Sequence, residues 1–450
     1  MDARPNELLH RLRTAGPSTA QELQRALGLN RSTFFRLVQK TGPELIRYGR
    51  TRAARYAVTR SIADLGSRLP LFRVLPEGGI ESLATVVPLW GGGTLVQWVG
   101  GRVTEHPGVP WFLDDVRPQG FLGRAFVMQH ADLGIRKLDE LTADDTLRAL
   151  ALRGEDVPGN LLLGDASLKR FYERVASADA RGEAFGLERR RETYPGLARR
   201  ALQGEIVGSS AAGEQPKFGA TLASQGGLRH VLVKFSPPID TGPGLRWADL
   251  LACEHLALTC LREVGLPAAQ SELLEAEGYA FLEVTRFDRV LGLGRLPLAS
   301  LGVVDAEFIG AGSAHWAAAA RVLSNQKRLS PKDAEDVGRL EAFGRLIHNT
   351  DRHAGNLSLF WRPDFTFSLA PIYDMVPMAF APLGGHVVER TLVTPSPDET
   401  LLAVWEEMVR LGITYWQRVL DFPSVSSAFK QGPAAEALKT AQSLSRRGTS

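Results

Sequence analysis

The chain has 450 residues, of which 44% are hydrophobic and 23% charged. That is too long for one core and ordinary for a globular protein of two or three domains. No run of about 18 apolar residues occurs, which argues against a membrane span, and charges throughout the first twenty residues argue against a secretion signal. The net charge of +3 is unevenly placed: residues 1–60 hold twelve Lys/Arg against four Asp/Glu, a balance of +8, so the remainder carries −5. A basic end on a mildly acidic body points to a polyanionic partner for that end.

Leu8, Leu9 and Leu12 mark a first short helix, broken by Gly16-Pro17. Thr19 with Glu22 forms a capping-box pattern for a second helix, which Gly28 ends. Asn30 caps a third, with Phe34, Leu37 and Val38 on one face and Arg31, Ser32, Thr33, Arg36 and Lys40 on the other. Residues 45–48 and 55–58 read as two strands joined by a basic tip containing Arg50 and Arg52. Two helices and a tight Gly turn followed by a hairpin resemble a winged helix-turn-helix. In that reading the third helix enters the major groove of DNA and the Arg-rich tip reaches phosphates or the minor groove. A three-helix protein-interaction module with a solvated basic face is the alternative.

Residues 83–90, 94–99 and 102–104 read as short strands separated by glycine turns. The run Gly91-Gly92-Gly93 is not a phosphate loop, because no Lys-Ser/Thr follows it. Asp114-Asp115 reads as a helix start or solvated turn. Residues 145–152 are amphipathic, 158–164 form a turn and short apolar run, and 169–187 read as helix and loop.

From residue 206 the pattern changes. A small-residue loop, Ile206 to Lys217, is followed by a strand, a Gly226-Gly227 turn and a second strand ending at Lys234. Kinases place their nucleotide lysine on such a strand. Alone, Lys234 reads more readily as a solvated edge charge. A helix over 246–264 carries Glu254 in apolar surroundings, either as a partner orienting Lys234 or as an exposed glutamate. Cys253 and Cys260 lie seven apart on it, roughly 10 Å along the axis, which is too far for a disulfide. Reduced, buried thiols fit the cytoplasm. Strands are expected at 271–274 and 279–284, then a hinge at Thr285-Arg286-Phe287-Asp288-Arg289. A helix over 331–347 ends in His348-Asn349-Thr350-Asp351-Arg352-His353-Ala354-Gly355-Asn356. Two more strand patterns, at 357–360 and 365–369, precede Asp374. An Asp, an Asn five residues on and a second Asp after two strands form the set that faces an acceptor hydroxyl and holds magnesium on ATP.

Taken together, Ser210-Ala-Ala-Gly-Glu-Gln-Pro-Lys217, Val233-Lys234, Arg286-Phe-Asp-Arg289, Asp351-Arg-His-Ala-Gly-Asn356 and Pro371-Ile-Tyr-Asp374 resemble the HipA-like serine/threonine kinases of bacterial toxin–antitoxin systems. The resemblance covers roughly residues 65–430, and the N-terminal segment looks like the YjjJ-type branch. It implies an α+β, two-lobed protein-kinase-like HipA fold preceded by a winged helix-turn-helix. The expected divisions are 1–60 for DNA, 61–150 for a HipA-like N-terminal subdomain, 151–290 for a nucleotide-binding lobe, 291–435 for a mainly helical lobe, and 436–450 for a flexible tail.

The resemblance also implies roles, with ATP and Mg2+ as cofactors. Asp351 orients or deprotonates the acceptor hydroxyl, and His353 lies near the transferred phosphoryl. Asn356 and Asp374 hold magnesium, and Lys234, with Glu254, meets the phosphates. Backbone groups around Thr285 and Phe287 face adenine. Ser210, in a loop with Ala211, Ala212 and Gly213 that also approaches the phosphates, is the autophosphorylated serine, with Ser209 an adjacent competitor. Implied partners are a protein substrate, DNA through Arg31, Ser32, Thr33, Arg36, Arg50 and Arg52, and an antitoxin. Two departures from the family pattern stand out. Pro216 stiffens the Ser210 loop, and Thr285 replaces a common Glu, removing a side-chain contact to adenine. A nucleotide-sensing transcription regulator and a small-molecule kinase remain alternatives, since no residue identifies the phosphate acceptor.

Overall fold

The computed structural model describes residues 4–178, 184–205, 215–290, 292–312 and 315–447. The first unit packs helices Arg4–Ala15, Ala20–Leu27 and Arg31–Lys40 against the antiparallel strands Leu45–Tyr48 and Arg55–Val58. The expected caps form. Thr19 and Glu22 satisfy each other's backbone donors, and Asn30 accepts from the Thr33 N–H at 2.9 Å. Leu8, Leu12, Leu23, Phe34 and Tyr56 make the core of this unit.

This unit is docked on a five-stranded antiparallel sheet. In spatial order the strands are Val103–His106, Thr94–Trp98, Ile80–Pro88, Leu69–Val74 and Leu161–Leu163. Tyr48 and Ala57 from the first unit close a small apolar cluster with Val87, Leu89 and Leu95 of the sheet. The Tyr48 hydroxyl donates to Glu105 at 2.8 Å, and Arg55 pairs with the same carboxylate. Gly16 and Gly91 meet backbone to backbone; both have positive φ, and a Cβ at Gly91 would lie 2.7 Å from the Gly16 Cα. Strand Leu69–Val74, absent from the sequence reading, carries no clean period-two alternation, with burial on both faces.

A second five-stranded sheet has the order Ser271–Ala276, Tyr279–Thr285, Gly227–Phe235, Lys217–Ser224, Phe185–Gly186. Helix Gly242–Glu263 packs mainly on the adjacent strands Ser271–Ala276 and Tyr279–Thr285. Its Cys253 and Cys260 are buried free thiols, as expected. The remaining half is mainly helical. Trp316–Asn325, Pro331–Leu346 and Leu402–Asp421 pack around Phe343, Tyr415 and Trp416, beside a small sheet of Leu298–Ser300, Ser358–Trp361 and Phe367–Leu369. The flexible tail expected over 436–450 needs correction over its described part, residues 436–447. Helix Ala435–Arg447 buries Ala437 and Ala441 against Leu402–Asp421, because its small residues recur at helical spacing. Among the described residues no helix is long and apolar enough to cross a membrane.

His348 terminates Pro331–Leu346 with φ of +58° and packs edge-on against Phe380. Burial, then the neighbouring Arg352, pushes its imidazole down to about 4. The unfolded chain, titrating near 6.5, takes up the proton first as pH falls. Stability from this group is therefore present above pH 6.5 and lost towards pH 4, about 3 kcal/mol in all. His348→Asn keeps a residue tolerant of this backbone. In denaturant unfolding, its deficit relative to wild type should shrink as pH falls from 7 to 4.

Candidate active site

The lysine strand Gly227–Phe235 and its hairpin partner Lys217–Ser224 place Lys234 opposite Lys217. Both lysines are buried and line a cavity of about 360 Å3. Glu254 reaches the cavity from helix Gly242–Glu263 and accepts from Lys234 Nζ with both oxygens at 2.7 Å. Lys234 Nζ also donates to Asp374 Oδ1, and the Asp374 N–H donates to Glu254 Oε1 at 3.1 Å. Burial opposes the ammonium, but Asp374 and Glu254 outweigh it and raise the Lys234 pKa. Burial raises Glu254 from its ordinary value, whereas Asp374 is lowered against its own burial by Lys234 and then Lys217. The cavity thus holds a preformed charge network, not a solvated edge lysine.

Two loops close the network. Asp374 has φ of +54°, a region non-glycine residues rarely occupy. Asn349, fully buried, bridges the loops: its amide donates to the Asp374 carbonyl at 3.2 Å and its Oδ1 accepts from the Asp351 N–H at 3.0 Å. Asn356 donates to the Asp351 carbonyl at 2.8 Å, and Trp316 Nε1 donates to the His353 carbonyl at 3.1 Å. These bonds fix the loop through its own Asn349 and Asn356 side chains and, from outside, through Trp316.

Lys234, Glu254, Thr285, Phe287, His353, Asn356 and Asp374 all line the same cavity. Asp351 is exposed and is not part of its wall. Phe287 and Tyr373 form an aromatic wall, with ring centroids 5.8 Å apart. Ser210, Ala211, Ala212 and Gly213 lie outside the described residues, as does Ser209. Arg31, Ser32, Arg36 and Arg50 are exposed on the N-terminal unit, Thr33 is half-buried beside its cap, and the Arg52 side chain lies outside the described residues.

Three contributions were missed in the sequence. Lys217 could have been found: a turn at Gly226-Gly227 pairs Ser224 with Gly227, and counting back along the hairpin puts Lys217 across from Lys234. Asn349 and Asp115 gave no local signal. The Asp115 carboxylate, read as a solvated turn, instead accepts from the Ser300 N–H at 2.7 Å and its hydroxyl at 2.5 Å in the cavity wall; burial raises its pKa.

The hinge residues form a clamp. Asp288 accepts from Arg286 at 3.0 and 2.8 Å, from Arg289 at 2.6 Å, and from the Gly159 N–H at 2.9 Å. Arg289 also donates to the Gly159 and Val157 carbonyls, and Asp156 joins Arg286 and Arg289. The cavity's rear wall is thereby tied to residues 156–159.

The chemistry of the donor set suits a magnesium nucleotide. Two cations can face phosphate, a carboxylate and an amide oxygen are hard ligands of the kind Mg2+ takes, and an aromatic wall suits a base. Two family models match the chain: the YjjJ-like toxin middle domain over residues 65–172 and the HipA-like C-terminal domain over 209–418. Toxin YjjJ of Escherichia coli K12 is 37% identical over 421 residues, covering 92% of this chain and 93% of that protein. Among solved structures, HipA from the Shewanella oneidensis HipA–HipB–operator DNA complex is similar with TM-score 0.49 and 15% identity, over 84% of this chain and 97% of its own. The Helicobacter pylori proinflammatory kinase CtkA gives TM-score 0.34 and 13% identity, over 50% of this chain and 90% of its own.

Proposed function

The chain belongs to the family of YjjJ-like, HipA-related toxins, and from that premise we propose that it is an ATP- and magnesium-dependent serine/threonine protein kinase acting in the cytoplasm. One observation carries the reading: Lys234, Glu254 and Asp374 form a buried, mutually bonded network in one cavity with Asn356 and His353. Magnesium, held by Asp374 and Asn356, would neutralise phosphate charge. Lys234, kept charged and aimed by Glu254, binds the phosphates. Thr285 and Phe287 face the base. Asp351 takes the proton of a serine or threonine hydroxyl as its oxygen bonds to the γ-phosphorus and the bond to the ADP oxygen breaks. His353 sits where the phosphoryl passes. Ser210 is the proposed site of self-modification, where about two negative charges would repel ATP.

Incubation with ATP and magnesium, followed by phosphosite mass spectrometry on the protein and on cells expressing it, tests this. Wild type should place phosphate on Ser210 and on at least one cellular protein, and Asp351→Ala should not. No phosphate anywhere, with the two proteins indistinguishable, would sink the proposal.

A second role favours the N-terminal unit. Its three helices and hairpin are read as a winged helix, and the exposed Arg31, Arg36 and Arg50 support DNA binding beside an antitoxin. Binding of the full chain to operator DNA should fall steeply with salt, and Arg36→Ala should flatten that slope by about one unit. Salt-independent binding would remove this role.

A further inference from the structure

Helix Arg31–Lys40 carries one large apolar side chain that the fold does not bury. Phe34 and Leu37 close the core of the N-terminal unit, whereas Phe35 is 37% exposed. Among the described residues of this unit it is the one large apolar side chain that stands exposed. Its ring is nevertheless held in place. It meets Phe34 edge-on with centroids 5.6 Å apart, and the Arg31 guanidinium, one turn earlier, lies 5.8 Å from its centroid. Arg31, Ser32, Arg36 and Gln39 are exposed with it. Among the described residues, Arg31, Arg36 and Gln39 form no side-chain hydrogen bond or ion pair within the chain.

An exposed ring on a helix is ordinary by itself. Its surroundings select the partner. A protein-docking face is usually a contiguous apolar patch, but here the ring stands among two arginines, a serine and a glutamine, and the helix holds no acidic residue. The major groove of DNA complements that composition. Its base edges present acceptors and donors, negative phosphates flank them, and its one apolar group is the C5-methyl of thymine. Arg31, Phe35 and Gln39 recur every four residues, about 6 Å apart along the axis, so they present one row to the groove. Arginine and glutamine are suited to the hydrogen-bonding edges of guanine and adenine, which leaves the ring to meet a methyl group.

We propose that Phe35 is a base-reading residue: its ring packs on the C5-methyl of a thymine in the major groove, between the donors of Arg31 and Gln39. This rests on the DNA-binding role proposed above and adds the base that is read.

The test uses the full-length protein and a duplex that it selects from a random-sequence library, with affinity measured at fixed salt. Each thymine is replaced in turn by uracil, which removes the methyl and leaves the hydrogen-bonding edges intact. Wild type should lose about 4-fold at one position, the factor that one buried methyl group carries. Phe35→Ala should bind the thymine duplex more weakly by about the same factor and show no difference between thymine and uracil there. Phe35→Leu, which keeps an apolar group, should retain part of the preference. Because the readout is a ratio within one preparation, partial misfolding does not imitate the result. No uracil-sensitive thymine, or a sensitivity unchanged in Phe35→Ala, overturns this inference and leaves the DNA-binding role standing. So does an affinity that Phe35→Ala leaves intact, the result expected of a face that docks protein. No duplex bound at any salt overturns both.

Discussion

Lys234→Met should lower phosphate transfer by about 10³-fold or more, the scale on which a cation at a transferring phosphoryl acts, and should also destabilise the fold. The second effect follows from burial. Glu254 is fully buried and Asp374 lies in the cavity wall, and Lys234 is the ammonium they share. Removing one partner of a buried pair costs about 3–5 kcal/mol, because the other charge stays behind uncompensated. The pH dependence has a definite sign. Glu254 is already raised by burial, and without Lys234 it rises further, so the folded state binds more protons than the unfolded state. The variant's deficit should therefore shrink as pH is lowered towards the carboxylate range. A double variant, Lys234→Met with Glu254→Gln, separates the two effects. Urea unfolding should show stability largely restored, while ATP turnover stays at the level of Lys234→Met. If activity returned with stability, Lys234 would be a structural residue and not a phosphate ligand.

Asp288→Ala should cost about 3–5 kcal/mol without touching any group proposed to meet phosphate or metal. Three buried arginines, Arg286, Arg289 and Arg295, crowd this region, and Asp288 and Asp156 are their counter-charges. Against its own burial, Arg286 and Arg289 hold the Asp288 carboxyl well below the usual range. Its stabilisation is thus present above the unfolded carboxylate pKa near 3.9 and lost only as pH falls below that value. Asp288→Asn keeps an acceptor for the Gly159 N–H and should lose less. The measurement is the urea midpoint of the first unfolding transition at pH 7, together with the Mg-ATP affinity of protein that remains folded. Because Asp288 ties the cavity's rear wall to Gly159, affinity should weaken even where the fold survives. A stability, from the urea midpoint, within about 0.5 kcal/mol of wild type, roughly what a plain surface substitution gives, would contradict the clamp.

What the sequence disclosed follows from how local each signal is. The caps at Thr19 and Asn30 act over three residues, so the first helices were readable to within a residue or two. The apolar alternation to Lys234 and the turn at Gly226-Gly227 likewise specified a hairpin. Glu254 could be read two ways because helix Gly242–Glu263 is buried nearly all round, so no polar face marks which carboxylate points inward. Asp115 and Ser300 are 185 residues apart and Asp288 and Gly159 are 129 apart. No period or spacing announces such pairs, which exist only once the chain is folded. Arg286-Phe287-Asp288-Arg289 was recognised as a hinge, yet its charges serve burial and pairing more than the nucleotide.

The contact between Gly16 and Gly91 bears on modularity. An N-terminal unit proposed to bind DNA is easily imagined as a cassette, exchangeable among proteins. Here its seat on the neighbouring sheet requires two backbones to approach so closely that a Cβ at Gly91 would collide with the other chain segment, and one carboxylate, Glu105, serves both Tyr48 and Arg55. A unit transplanted onto a body lacking Gly91, or itself lacking Tyr48 and Arg55, would have no fitted place to sit. The two parts fit one another as a single piece, and the direction in which the basic helix faces is built into the body that carries the cavity.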